Sequence, residues 1–153
     1  MSGQSGVVYE LWAGGAAAAA EPLLALARAV FADFDDAYLL GRLPLAIDPM
    51  LWLAREGEAW VGFKLGYRRG PDLLYSWLGG VHPRMRGRGV ASELMVRQHD
   101  QAAKLGYRWV ETRTRAANNA MIVLNLRHGF QVAGFESDPG GAPVVIQRKR
   151  LGD

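Results

Sequence analysis

Two rhythms of apolar and polar positions run along the chain. Alternation over Val7–Trp12 reads as a strand, whereas Leu23, Leu24, Leu26, Ala27, Val30 and Phe31 recur at helical spacing. The spacing predicts a helix with Glu21 and Pro22 in its first turn, where proline's missing N–H costs little. Asp33, Asp35 and Asp36 interrupt it, and a second short helix is predicted from Ala37 to Arg42, ahead of Pro44. Leu51–Arg55 and Ala59–Arg68 read as a hairpin around Glu56-Gly57-Glu58. Gly70-Pro71-Asp72 turns the chain into a buried-looking strand, Leu73–Val81. After Pro83 a Gly/Arg-rich bend gives way to a helix from Val90 to Leu105, with Gly106 as its C-cap. Arg108–Thr114 is again strand-like, and Asn118 or Asn119 can cap a helix that runs to His128 and stops at Gly129. Phe130–Glu136 and Val144–Leu151 are the final strands, around the turn Asp138-Pro139-Gly140-Gly141. The order β-α-α-β-β-β-α-β-α-β-β predicts an α/β (α+β) fold, a mixed sheet with helices on its faces. Its unit from Leu73 to Thr114 should be a right-handed parallel crossover.

Composition narrows the possibilities. The 153 residues carry no repeat and no linker, so residues 1–153 read as one domain. Without cysteine there is no disulfide scaffold, no thiolate metal site and no cysteine nucleophile; a cytoplasmic home fits this but is not required by it. No signal peptide is expected, and the small-residue run Ala13–Ala20 is too short to cross a membrane. The formal charge of +3 permits an anionic ligand, yet no basic run interleaved with aromatics suggests nucleic acid. Trp12, Trp52, Trp60, Trp77 and Trp109 fall on predicted strands and read as core. His82 and His128 lack the company a metal needs, so no metal is expected.

The densest basic cluster lies between Arg84 and Arg97, and it coincides with the bend. A strand ending at Val81 feeds Gly87 and Gly89, and a helix begins there. The free N–H groups of a helix's first turn, aided by the macrodipole, suit phosphate where side chains do not block approach. The pieces make a pyrophosphate cradle, with Arg84, Arg86 and Arg88 alongside. The alternative is a helix start with a solvated basic face. Gly-Lys-Ser/Thr is absent, and Gly87-x-Gly89-x-x-Ser92 lacks the third glycine or alanine of a dinucleotide fingerprint.

Arg86, Gly89 and Ala91, within Arg86-Gly87-Arg88-Gly89-Val90-Ala91, resemble the Arg/Gln-x-x-Gly-x-Gly/Ala signature of the GNAT N-acetyltransferase superfamily. Asn118, followed eleven residues later by Gly129-Phe130, resembles its second block, and the element order is similar from Val7 onward. The resemblance implies a mostly antiparallel sheet of six to seven strands with about four helices, its central parallel strands splayed. It implies acetyl-CoA as co-substrate, a primary amine as acceptor, and direct transfer in a ternary complex. The amides of Arg86, Gly87, Arg88, Gly89, Val90, Ala91 and Ser92 would hold the pyrophosphate. Val81 would pair with the pantetheine arm as an added strand does, and Asn118 would reach the arm or phosphates.

The chain departs from the family pattern where a tyrosine often serves the leaving sulfur: that position is Asn125, which can donate a hydrogen bond but not a proton. No carboxylate lies on Leu73–Val81, whose polar members include Tyr75 and Ser76. Glu111, on the neighbouring strand, is the candidate base, against the alternative that it pairs with Arg113 or Arg108. Asp33, Asp35 and Asp36 either steer a cationic amine or cap a solvated loop. A catalytically idle acyl-CoA-binding domain is the rival reading, and the C-terminal strands offer a surface for a homodimer.

Overall fold

A computed structural model describes residues 6–152; the outermost residues of the predicted 1–153 domain lie outside the described set. In chain order the elements are β1 (Val7–Leu11), α1 (Ala16–Val30), α2 (Asp36–Arg42), β2 (Met50–Glu56), β3 (Ala59–Gly70), β4 (Leu73–Val81), α3 (Val90–Lys104), β5 (Trp109–Arg115), α4 (Asn119–Arg127), β6 (Gln131–Ser137) and β7 (Pro143–Arg150). Short 3-10 turns occupy Leu43–Leu45 and Pro83–Met85. The strands form one sheet in the order β1-β2-β3-β4-β5-β7-β6. Every neighbouring pair is antiparallel except β4 and β5, which the α3 crossover makes parallel.

Helix α1 begins at Ala16, five residues before the predicted start, and Pro22 sits inside it. Alanine is the best helix former, so the run Ala16–Ala20 extends the helix despite the hydrogen bond that proline cannot donate. Burial adds support: Leu23, Leu24 and Leu26 are almost fully enclosed, each contributing roughly 2 kcal/mol against exposure. They pack with Leu39 of α2 onto Leu53, Phe63, Leu65 and Trp77 on one sheet face. The other face meets α3, whose Val90, Leu94, Met95 and Ala102 cover Ala54, Leu74 and Val110. Four of the five tryptophans lie on strands; Trp12 follows β1 and stands edge-on to Trp60.

One break in the sheet positions the site. Ladder pairing between β4 and β5 runs from Leu73 opposite Trp109 to Ser76 opposite Thr112, and ends there. From Trp77 to Val81 β4 keeps its β3 neighbour but has no strand on its other side.

Candidate active site

Gly87 (φ 77°) and Gly89 (φ 79°) are both left-handed, a conformation that costs glycine nothing and other residues dearly. Gly89 is the N-cap of α3 and supplies no side-chain cap. Its carbonyl accepts from Glu93 N at 3.0 Å, which closes the first helical turn. The amides ahead of that bond, those of Gly87, Gly89, Val90, Ala91 and Ser92, donate to no protein acceptor among the described residues. A Cβ built at Gly87 meets nothing within 4 Å. These bare donors therefore face open space, the condition an oxyanion requires.

That space is a cavity of about 610 Å³. It follows the free edge of β4 through Gly79, Gly80 and Val81 to Arg86–Ser92, with Leu94, Met95, Met121 and Leu124 as its apolar wall. Arg86 is exposed, yet its side chain folds back onto the main chain. Its Nε donates to Val81 O at 3.2 Å and its guanidinium reaches Val30 O at 3.4 Å, tying the loop to the end of α1. Arg84 pairs with Glu56 at 2.7 Å, and Arg88 rests on the Met85 sulfur at 3.7 Å. Main-chain donors, rather than three mobile arginines, make this end of the cavity. Asn118 caps α4, its Oδ1 accepting from Met121 N at 3.2 Å while it lines the cavity. Ser92 Oγ lies 3.1 Å from His128 Nε2, which joins the first turn of α3 to the end of α4. His82 accepts from Arg84 N and caps the 3-10 turn.

A second cavity, about 650 Å³, opens on the side of α1 and α2. Tyr38, Tyr75 and Trp77 form its aromatic wall; Trp77 Nε1 donates to Tyr38 Oη at 2.7 Å. Five cationic side chains line it, Arg42, Lys64, Arg69, Arg113 and Arg115, against two carboxylates, Glu136 and Asp138. Both carboxylates are held, by Arg113 at 2.9 Å and Arg115 at 3.2 Å. Arg69 stacks on Tyr75 at 3.8 Å, and Arg42 covers Tyr38 at 4.9 Å with no carboxylate beside it. The two cavities share Phe31, Lys64, Gly79, Asn118 and Met121.

Of the three candidate catalytic side chains, Tyr75 and Glu111 stand opposite each other in the β4–β5 ladder and share Arg69, whereas Asn125 lies apart, and no cavity is lined by all three. Tyr75 lies on the second cavity's wall, its hydroxyl pushed above the ordinary tyrosine range by burial, which keeps it protonated. Glu111 is buried, lines neither cavity, and is gripped by Arg148 at 2.6 Å and Arg69 at 3.5 Å. Its partners are neither Arg113 nor Arg108, because Arg148 stands opposite it on the adjacent β7 and Arg69 reaches it from β3 across Tyr75 of β4. Asn125, 1% exposed, donates from Nδ2 to Gln147 Oε1 at 2.9 Å and lines neither cavity. Its amide fastens α4 to β7. The aspartates near α2 are also occupied: Asp36 is paired with Arg28, and Asp35 caps Ala37 N at 3.0 Å. Sequence reasoning passed over Lys64, since a lone lysine in a strand reads as a solvated side chain. Burial alone pulls its pKa down to about 8.

The acetyltransferase (GNAT) domain model matches residues 48–132. No curated protein sequence matches the chain. Among solved structures, the ribosomal-protein-S18-alanine N-acetyltransferase of Escherichia coli superposes with a TM-score of 0.81 at 14% identity, over 96% of this chain and 95% of that one. The IAA acetyltransferase of Bacillus cereus gives 0.78 at 16% identity, over 95% and 99%. A GNAT family acetyltransferase of Elizabethkingia anophelis with acetyl-CoA bound gives 0.78 at 12%, over 95% and 99%. At these identities the likeness is one of fold.

Proposed function

Because the chain belongs to the GNAT acetyltransferase family, we propose that it transfers an acetyl group from acetyl-CoA directly to a primary amine. The row of amides without a protein acceptor, where Gly87, Gly89, Val90, Ala91 and Ser92 line the first cavity, carries this reading. A diphosphate fits there because the donors are fixed before it arrives and no side chain needs to move. Acetyl-CoA supplies the activated acyl group; the chain binds, aligns and shields. Gly87, Gly89, Val90, Ala91 and Ser92 hold the diphosphate, and the free edge of β4 holds the amide-bearing arm. Asn118 steadies the arm where the two cavities join.

The acceptor enters the second cavity. Its walls carry an excess of positive charge, and the guanidiniums of Arg42 and Arg69 stand beside aromatic rings. An amine that also bears a carboxylate or phosphate suits these walls better than a polycation. With Glu136, Asp138 and Glu111 all held by arginines, the acceptor's proton leaves to water and not to a carboxylate. Tyr75 shapes the acceptor wall, while Glu111 positions Arg69 and Arg148.

A non-catalytic acyl-CoA-binding domain is the second reading, and the enclosed Asn125 in the tyrosine's place favours it. Thiol release from acetyl-CoA separates the two. We expect acetyl-CoA to raise the melting temperature and phenylalanine to release CoA faster than phenethylamine, its analogue without a carboxylate. Stabilisation with no release for any amine in a broad panel overturns catalysis. No stabilisation overturns both readings.

A further inference from the structure

Lys64 is one of three lysines in the chain, and its setting is unusual for a cation. It lies in the middle of β3, opposite Gly79 in the ladder. A Cβ built at Gly79 would stand 3.1 Å from Lys64 Cδ and 3.7 Å from Nζ, so the ammonium lies against the stretch of β4 that β5 abandons. It lines both cavities. Lys64 makes no hydrogen bond or ion pair with any described residue. His99 of α3 and His128 at the end of α4 lie within electrostatic reach of it, and the two carboxylates that share the second cavity with it, Glu136 and Asp138, are already paired with Arg113 and Arg115. A half-buried cation with no ion-pair partner is costly, and such groups concentrate at functional sites.

We propose that Lys64 meets the departing sulfur: its ammonium stabilises the thiolate as it forms and hands it a proton. The assignment rests on the acyltransferase reading, because only there does a thioester reach the junction of the two cavities. It fills the role left vacant by Asn125, whose amide is spent on Gln147. As the acceptor nitrogen bonds to the acyl carbon, the carbon–sulfur bond breaks and its electron pair goes to sulfur. The Lys64 Nζ–H bond then breaks, giving a free thiol and a neutral amine. The acceptor nitrogen loses its extra proton to water in the second cavity, and Lys64 regains one from the same water. The exchange is close to balanced: burial brings Lys64 to about 8, near the ordinary thiol value of about 8.5.

The test uses the binary complex of the intact chain with CoA. The protein has no cysteine, so the only titrating thiol is the ligand's, and ultraviolet thiolate absorbance reads it directly. In the wild type the bound thiol should titrate about one unit below free CoA, the effect of a nearby cation. In Lys64→Met it should return to the free value or above. Thermal unfolding of the ligand-free Lys64→Met protein should show folding retained and the melting temperature raised, with Lys64→Gln as a second charge-free variant. Lys64→Arg should keep the lowered thiol pKa but lose at least tenfold in kcat, since a guanidinium holds its proton. Identical thiol titrations in wild type and both charge-free variants, or full kcat in Lys64→Arg, overturn the assignment alone. Absence of turnover with every amine overturns the acyltransferase reading, and proton delivery with it, whatever the thiol does.

Discussion

The two cavities share five residues but are built by opposite means. The cofactor cavity takes its polar groups from the main chain: amides around two glycines and the unpaired edge of one strand. The second cavity, the proposed acceptor site, takes its polar groups from side chains on α2, β3, β4, β5, β6 and the turn after β6. Main-chain donors carry no side-chain identity, so under the proposed function they suit a constant feature, a diphosphate, and tolerate surrounding drift. Side chains assembled from distant positions can change singly. On the proposed function, a common donor and an individual acceptor would be recognised by two chemistries, with a lone lysine where the cavities meet.

The sharpest way to break the comparison is to place a carboxylate among the amides. Gly89→Glu should abolish stabilisation by acetyl-CoA, worth about 2.7 kcal/mol at a hundredfold excess over Kd, because the side chain repels the diphosphate and strains a φ of 79°. Calorimetric binding checks it, with Gly57→Glu, a turn glycine of similar φ (61°), as the strain control.

The packing behind the cofactor cavity should betray itself in acid. His99 is buried, accepts from Lys149 at 3.0 Å, and has its pKa lowered to about 2 by desolvation first and Lys149 second. Below about pH 6.5 the unfolded chain binds a proton there that the folded chain refuses, so stability falls as pH drops. The expected slope is at most about 1.4 kcal/mol per pH unit, and His99→Leu should flatten it in denaturant titrations.

Asn125→Leu leaves the buried Gln147 Oε1 without its donor and should cost about 1–3 kcal/mol of stability. Chevron or melting data would show that loss, while kcat stays within about twofold because Asn125 touches neither cavity. A larger fall in kcat would return Asn125 to the chemistry. The smallest effect belongs to the acceptor wall. Arg42→Gln should raise KM about tenfold, roughly 1.4 kcal/mol, for a carboxylate-bearing amine, leave phenethylamine unaffected, and leave acetyl-CoA binding intact.

Local signals account for what was legible in the sequence. The boundaries Leu73–Val81 and the start of α3 at Val90 follow from a buried run, a proline and two glycines, and the cofactor loop lies within that same stretch. The start of α1 was misjudged because Pro22 looked like a beginning, although five alanines and a buried face outweigh one missing hydrogen bond. Glu111 and Asn125 looked available because their partners, Arg148 and Gln147, belong to β7, more than twenty residues away in the chain. Lys64 was invisible for the same reason. Nothing local tells whether a strand lysine points to water or to the gap left by a departing neighbour.

Gly80 gives the arrangement an adjustable point. A Cβ there would lie 2.4 Å from Val30 Cγ1, so the last turn of α1 rests directly on the strand whose free edge lines the first cavity. One added methyl would act as a shim, tilting the helix end and with it Phe31, which belongs to both cavities. The width of the second cavity's mouth is thus set from the floor below, and under the proposed function selection could retune what enters without altering any residue that lines it.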